Sequence, residues 1–222
     1  MTSRTTVGPA IADLDRRHDA LLVFDIDEVV LHFIAPFCEL LAEHGARLHF
    51  DSFRLTGNVR SLSTGAALTG HALDGITAQL YAEQEQRQTA VDGVIEALER
   101  LGEIADILFL TAMTPTFYPE RRRLLDGAGL RWPMIATERA KGAFLFDAKA
   151  RWTGPVAFVD DLPPNLEGVR RSAPDVSLVH LMADPQFRAH LPLLPSSTFE
   201  AANWSQAETI LRGIVEGDVS RG

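Results

Sequence analysis

Four short, almost uninterrupted apolar runs punctuate the chain at residues 21–24, 107–110, 156–159 and 176–182, and the first three stop against Asp25, Thr111 and Asp160. Such runs are too short for core helices and lack the alternation of a half-exposed strand. They have the character of parallel strands buried on both faces. Helical patterns lie between and after them. Val94, Ile95, Leu98 and Leu101 share one face after Asp92, and a second helix spans Arg121 to Asp126 with Pro119 in its first turn. A last helix carries Ala207, Ile210, Leu211, Ile214 and Val215 at helical spacing behind Ser205-Gln206-Ala207-Glu208, which has the form of a capping box. This βαβ alternation predicts an α/β protein, a parallel sheet flanked by helices, with the last helix closing one face.

One connection breaks the rhythm. Residues 25 to 106, 82 in all, separate the first run from the second, whereas a βα connection normally takes a few loop residues and a helix. The excess predicts an inserted module. Phe37, Cys38, Leu40 and Leu41 indicate a helix ending near Gly45, and Ile76, Leu80 and Tyr81 indicate another. The Ser-, Thr-, Gly- and Asn-rich stretch from Asp51 to Gly75 suggests loops and short helices. Residues 36–92 are therefore expected to form a small, mainly helical cap, and residues 1–35 with 93–222 the core domain.

Composition narrows the function. Hydrophobic residues make up 46% and charged residues 23%, which is ordinary globular usage and disfavours a disordered chain. The 30 acidic against 21 basic residues give a net charge of -9, a surface that repels a nucleic-acid backbone. Cys38 is the one cysteine, so neither an internal disulfide nor a cysteine zinc site can form. No signal-like apolar stretch opens the chain and no run is long enough to span a bilayer, so no membrane association and a cytoplasmic location are expected.

Open α/β sheets bind ligands at the carboxyl ends of their strands, where this chain places Asp25 and Asp27, Thr111, and Asp160 with Asp161, with Lys141 between the last two groups. Four carboxylates on one edge repel one another unless a cation holds them, and hard oxygen ligands in a compact site favour Mg²⁺. That chemistry suits phosphoryl transfer.

These residues resemble the motifs of the haloacid dehalogenase-like (HAD) superfamily of hydrolases. The strand and acids of Leu22-Val23-Phe24-Asp25-Ile26-Asp27-Glu28-Val29-Val30 are similar to its first motif, and Ile107-Leu108-Phe109-Leu110-Thr111 to its second. A lysine follows. Val156-Ala157-Phe158-Val159-Asp160-Asp161 then resembles the fourth motif. Each motif alone is weak, but the four occur in the family's order across the core. The resemblance implies a Rossmann-like sheet with a cap inserted after the first motif. The 30 positions from Thr111 to Lys141 leave no room for a second large cap.

It further implies a Mg²⁺-dependent phosphatase acting on a small phosphorylated metabolite through an aspartyl-phosphate. Asp25 would be the nucleophile and Asp27 the general acid and base. Thr111 and Lys141 would bind phosphoryl oxygens. Asp25, the backbone carbonyl of Asp27, Asp160 and Asp161 would hold the metal. Asp27 argues for phosphate esters over halide displacement, which needs no acid there. A phosphomutase or phosphotransferase, and a non-catalytic metal-binding module, remain the alternatives.

Several residues have competing readings. Lys149 rivals Lys141, although a lysine near a helix start lies closer to the reactive edge than one near its end. Glu28 and Ala112 depart from common family residues, and Glu28 would either tune the metal or face solvent. Asn165 is expected to start a helix, and Arg121, Arg122 and Arg123 to form a solvated face. Asn58, Arg60, Ser61, Ser63 and His71 of the cap are the candidate specificity residues by position alone. Gly65 and Gly70 have the spacing of a nucleotide-binding loop, but His71 stands in place of its lysine. The seven histidines show no paired metal-ligand spacing, and no serine-hydrolase elbow is present.

Overall fold

A computed structural model describes residues 6–218. Its centre is β2 (Leu21–Phe24), every residue of which is buried. β5 (Asp106–Thr111) pairs parallel to it on one side and β7 (Val156–Asp160) on the other. Beyond them lie β6 (Met134–Thr137), β8 (Ser177–Leu181) and β9 (Thr198–Ala201), all parallel, and the short antiparallel edge strand β1 (Thr6–Val7). The sheet order is β1-β6-β5-β2-β7-β8-β9. The chain thus turns outward in both directions from β2, which puts a topological switch point at its carboxyl end.

The strands are uniformly apolar because both faces are covered. Alternate residues serve opposite layers. Leu22, Phe24, Ile107, Phe109, Ala157 and Val159 enter one cluster with α4 (Val94–Leu101), α5 (Tyr118–Gly127) and α8 (Trp204–Glu216). Leu21, Val23, Leu108, Leu110, Val156 and Phe158 enter the other with α6 (Lys141–Lys149) and α7 (Pro163–Ser172). The α/β class is as expected from the apolar runs, and α8 does close one face. Its start differs from the expectation by two residues. Asn203, not Ser205, is the cap: its side chain accepts from Gln206 N, while Gln206 Oε1 accepts from Ala202 N. The pair resembles a capping box shifted toward the amino terminus, except that Gln206 takes the N–H of the residue before the cap instead of the cap's own.

Between β2 and β5 the chain leaves the sheet to form α1 (Ile34–Glu43), an antiparallel pair of β3 (Ala46–Leu48) and β4 (Val59–Ser61), α2 (Gly70–Ala82) and the single turn α3 (Gln84–Arg87). From Asp51 to Gly75, where loops and short helices are expected, the chain forms β4 and, from Gly70, the start of the 13-residue α2. This insertion has its own cluster, with Phe37, Leu40, Leu41, Val59, Leu73, Ile76 and Leu80 inside it. Met182 and Phe187, which follow β8, complete that cluster from a distant part of the chain. No helix among the described residues is long and apolar enough to cross a membrane.

Candidate active site

Register builds the site. Phe24 lies level with Phe109 and Val159, so Asp25, just past β2, and Thr111 and Asp160, the last residues of β5 and β7, emerge on one edge. Asp25 N donates to Val159 O at 2.9 Å, which continues the ladder one residue past β2. The chain then turns sharply: Val29, Val30 and Leu31 all donate to Ile26 O.

Asp25, Asp160 and Asp161 present carboxylate oxygens within 4.8 Å of one another, and all three residues are buried. Lys141 begins α6 and sits between two of them, its Nζ 2.7 Å from Asp25 Oδ1 and 2.6 Å from Asp160 Oδ2. Gly142 lets α6 come that close, because a Cβ there would lie 2.6 Å from Gly168 O of α7. Lys149 is at the other end of the helix, donating to Gly154 O. Asp160 is fixed further by Leu162 N and by Asn165 Nδ2, which reaches both its oxygens at 3.0 and 3.1 Å. Asn165 is therefore more than a residue of the first turn of α7: it orients a carboxylate of the cluster.

Burial dominates the electrostatics. It pushes the Asp25 carboxyl up to about 7, with Lys141 pulling the other way and Asp160 and Asp27 adding to the rise. Asp161 is raised well above the usual carboxyl range, first by burial and then by Asp160 and Asp25. Burial alone would lower Lys141, but Asp160 and Asp25 outweigh it and its pKa is raised. Three buried carboxyls around one ammonium leave two negative charges without a partner when ionised, the charge that one divalent cation balances. The donor set is all oxygen, so the residues fit Mg²⁺.

Asp27 stands apart from this triad. Its carboxylate accepts from Gln88 Nε2 at 3.1 Å and from the Tyr81 hydroxyl at 3.2 Å. Arg121 Nη1 lies 2.9 Å from Asp27 Oδ1, an ion pair whose angles fall outside a hydrogen bond. Arg121 is fully buried and also donates to Gln84 and Gln88, with its guanidinium 5.5 Å from the centre of the Tyr81 ring. The expected solvated arginine face is thus corrected for two of its members, since Arg122 donates to Leu130 O and Trp132 O. Only Arg123 is the exposed residue anticipated, paired with Glu85 and Glu120. No local pattern signals the Arg121 contact, which joins positions 94 residues apart.

Glu28 neither faces solvent nor joins the triad. It is buried with φ 61°, and its carboxylate accepts from Phe33 N, Ile34 N and Asp184 N, each at 2.7 Å. It thereby ties the start of α1 to the segment after β8. Thr111 is buried, and its hydroxyl accepts from Met113 N.

A cavity of about 340 Å³ opens over the cluster, with Asp25, Asp27, Thr111, Ala112, Lys141 and Asp161 along it. None of Asn58, Arg60, Ser61, Ser63 or His71 lines it, which corrects the positional guess. Asn58 instead bonds Ser52 O and Arg54 O and so shapes the loop whose Phe53, Arg54 and Leu55 do line it.

No known family profile and no curated protein matches the chain. Solved structures do. A haloacid dehalogenase-like protein of unknown function from Agrobacterium tumefaciens is 16% identical, with 88% of this chain and 98% of that one covered at a TM-score of 0.59. A haloacid dehalogenase-like family hydrolase from Streptococcus pneumoniae is 11% identical over 86% and 97%, TM-score 0.56. A Lactobacillus plantarum protein described provisionally as a phosphoglycolate phosphatase is 15% identical over 89% and 100%, TM-score 0.53. The chain has the haloacid dehalogenase-like fold, and its buried acid cluster lies at the carboxyl edge of that fold's central strands.

Proposed function

We propose that the protein is a Mg²⁺-dependent phosphatase that hydrolyses a small phosphorylated metabolite, with residues 36–92 acting as a cap over the site. The observation that carries this reading is the buried group of Asp25, Asp160, Asp161 and Lys141 at the switch point of the sheet. Asp25 follows the central strand and is the carboxylate that attacks phosphorus. A new phosphorus–oxygen bond forms to Asp25 as the bond to the leaving alcohol breaks, and water then cleaves the aspartyl-phosphate. Asp27, on the cavity wall, protonates the departing oxygen and later takes a proton from water. Gln88, Tyr81 and Arg121 hold its carboxylate in one orientation. Lys141 and Thr111 stabilise the phosphoryl oxygens where charge spreads.

Asp25, Asp160, Asp161 and the backbone carbonyl of Asp27 would hold the metal. When bound, the cation offsets the charge of the carboxylates and lets a phosphate dianion approach. The likeness to a protein described as a phosphatase supports the reaction class. Phosphate release from a panel of phosphomonoesters with Mg²⁺, wild type beside Asp25→Asn, tests it. Turnover by the wild type alone is expected, and equal turnover by both would remove Asp25 from the chemistry.

A further inference from the structure

The cavity is chemically divided. Beside the charged cluster, its lining carries Phe33, just before α1, Ile34 of α1, Phe53 and Leu55 of the loop between β3 and β4, and Met182 and Phe187 after β8. Phe187 packs edge-on against Phe53 at 5.8 Å, so the apolar lining is continuous across two distant chain segments. The Tyr81 hydroxyl already donates to Asp27. The one charged side chain that the inserted segment adds to the lining is Arg54, which is exposed.

A polyhydroxylated leaving group entering this space would shed the water on each hydroxyl and meet carbon instead. An unmade hydrogen bond of that kind costs roughly tenfold or more in binding. An alkyl or aryl group gains, at about fourfold for each methylene removed from water. A volume of about 340 Å³ is at the small end of ligand pockets, which limits the group to a short chain or a single ring.

We infer that the substrate is a phosphomonoester of a small apolar alcohol, alkyl or aryl, whose phosphate meets the charged cluster and whose carbon body fills the pocket between α1, the Phe53 loop and Phe187. This specificity rests on the phosphatase reading and refines it.

The test uses the full chain with Mg²⁺ and ethyl, butyl and hexyl phosphates, whose alcohols differ little in acidity, beside glycerol phosphate and glucose 6-phosphate. kcat/KM is expected to climb roughly 250-fold from ethyl to hexyl, four methylenes at about fourfold each, with both polyol esters no better than ethyl. Phe53→Asn should cut the hexyl-to-ethyl ratio by about tenfold. Should that variant not fold, the wild-type series decides alone. Turnover with a flat series, or with glucose 6-phosphate ahead of hexyl phosphate, overturns the apolar specificity and leaves the phosphatase reading intact. No turnover of any ester, phenyl phosphate included, overturns both.

Discussion

Replacing Glu28 should cost stability out of proportion to its exposure. Its carboxylate takes three backbone N–H groups at 2.7 Å, two at the start of α1 and one at Asp184. Hydrogen bonds to a charged group contribute about 1.5–3 kcal/mol each, and the first N–H groups of a helix have no partner within it. Asp184 N is only part-buried, so water recovers some of that loss, and the three terms are not independent. A loss of about 3–4 kcal/mol for Glu28→Ala follows. At about 2–4 °C per kcal/mol for a chain of this size, thermal unfolding in metal-free buffer should fall by roughly 6–16 °C. Glu28→Gln keeps the shape but turns an amide donor toward one of the N–H groups, so a smaller fall, about 1–2 kcal/mol, is expected. KM should rise in both, because Phe33, Ile34, Met182 and Phe187 all border the segments that Glu28 joins. A Glu28→Ala protein melting within 2 °C of wild type would refute the reasoning.

Lys141→Ala should lose about 10²–10³ in kcat, the usual effect of removing one charge-stabilising donor, while Lys149→Ala, whose amine bonds Gly154 O, stays near wild type; the same substrate assayed with both folded variants decides. Asp27→Asn should slow alkyl phosphates far more than a nitrophenyl phosphate, which needs no proton on departure, and equal losses on the two would argue against the acid role. Because burial raises Asp25 to about 7, its folded pKa lies above its unfolded one, so its contribution to stability is present below about pH 4 and is lost as pH rises through 7. Metal binding at pH 6 should therefore release protons, measured as a dependence of the calorimetric heat on the buffer's ionisation enthalpy; buffer-independent heats would count against it.

The core strands were legible because burial on both faces leaves a continuous apolar run, as in β2, β5 and β7. β8, one strand in from the edge, shows such a run too, but β6, β1 and β9 do not. β6 is Met134-Ile135-Ala136-Thr137, mixing small and polar residues with two apolar ones, β1 has two residues and β9 is half-exposed. The β3–β4 pair was hidden because its strands are three residues each with a long loop between them. Residues that close strands, Asp25, Thr111 and Asp160, could be placed together because parallel strands all deliver their ends to one edge, and Lys141 because α6 returns from that edge. Arg121, Gln88 and Tyr81 could not, since they reach Asp27 from separate elements and only packing brings them together. The burial of Glu28 is not legible from its side-chain chemistry, because it accompanies a left-handed backbone at φ 61°. Polarity alone does not mark which positions of the insertion reach the cavity, since it is Phe53 and Leu55 of its loop that do, and not Asn58, Arg60, Ser61, Ser63 or His71.

A covalent bond between Asp25 and phosphorus is the central step of the proposed reaction. Turnover of a ³²P-labelled substrate should be quenched in acid, the protein reduced with borohydride, and its peptides analysed by mass spectrometry. Label on the quenched protein, with Asp25 converted to homoserine and neither signal in Asp25→Asn, is the predicted result. Labelled free phosphate released by an enzyme that never carries label during rapid-quench single turnover, or conversion at any other aspartate, would contradict it.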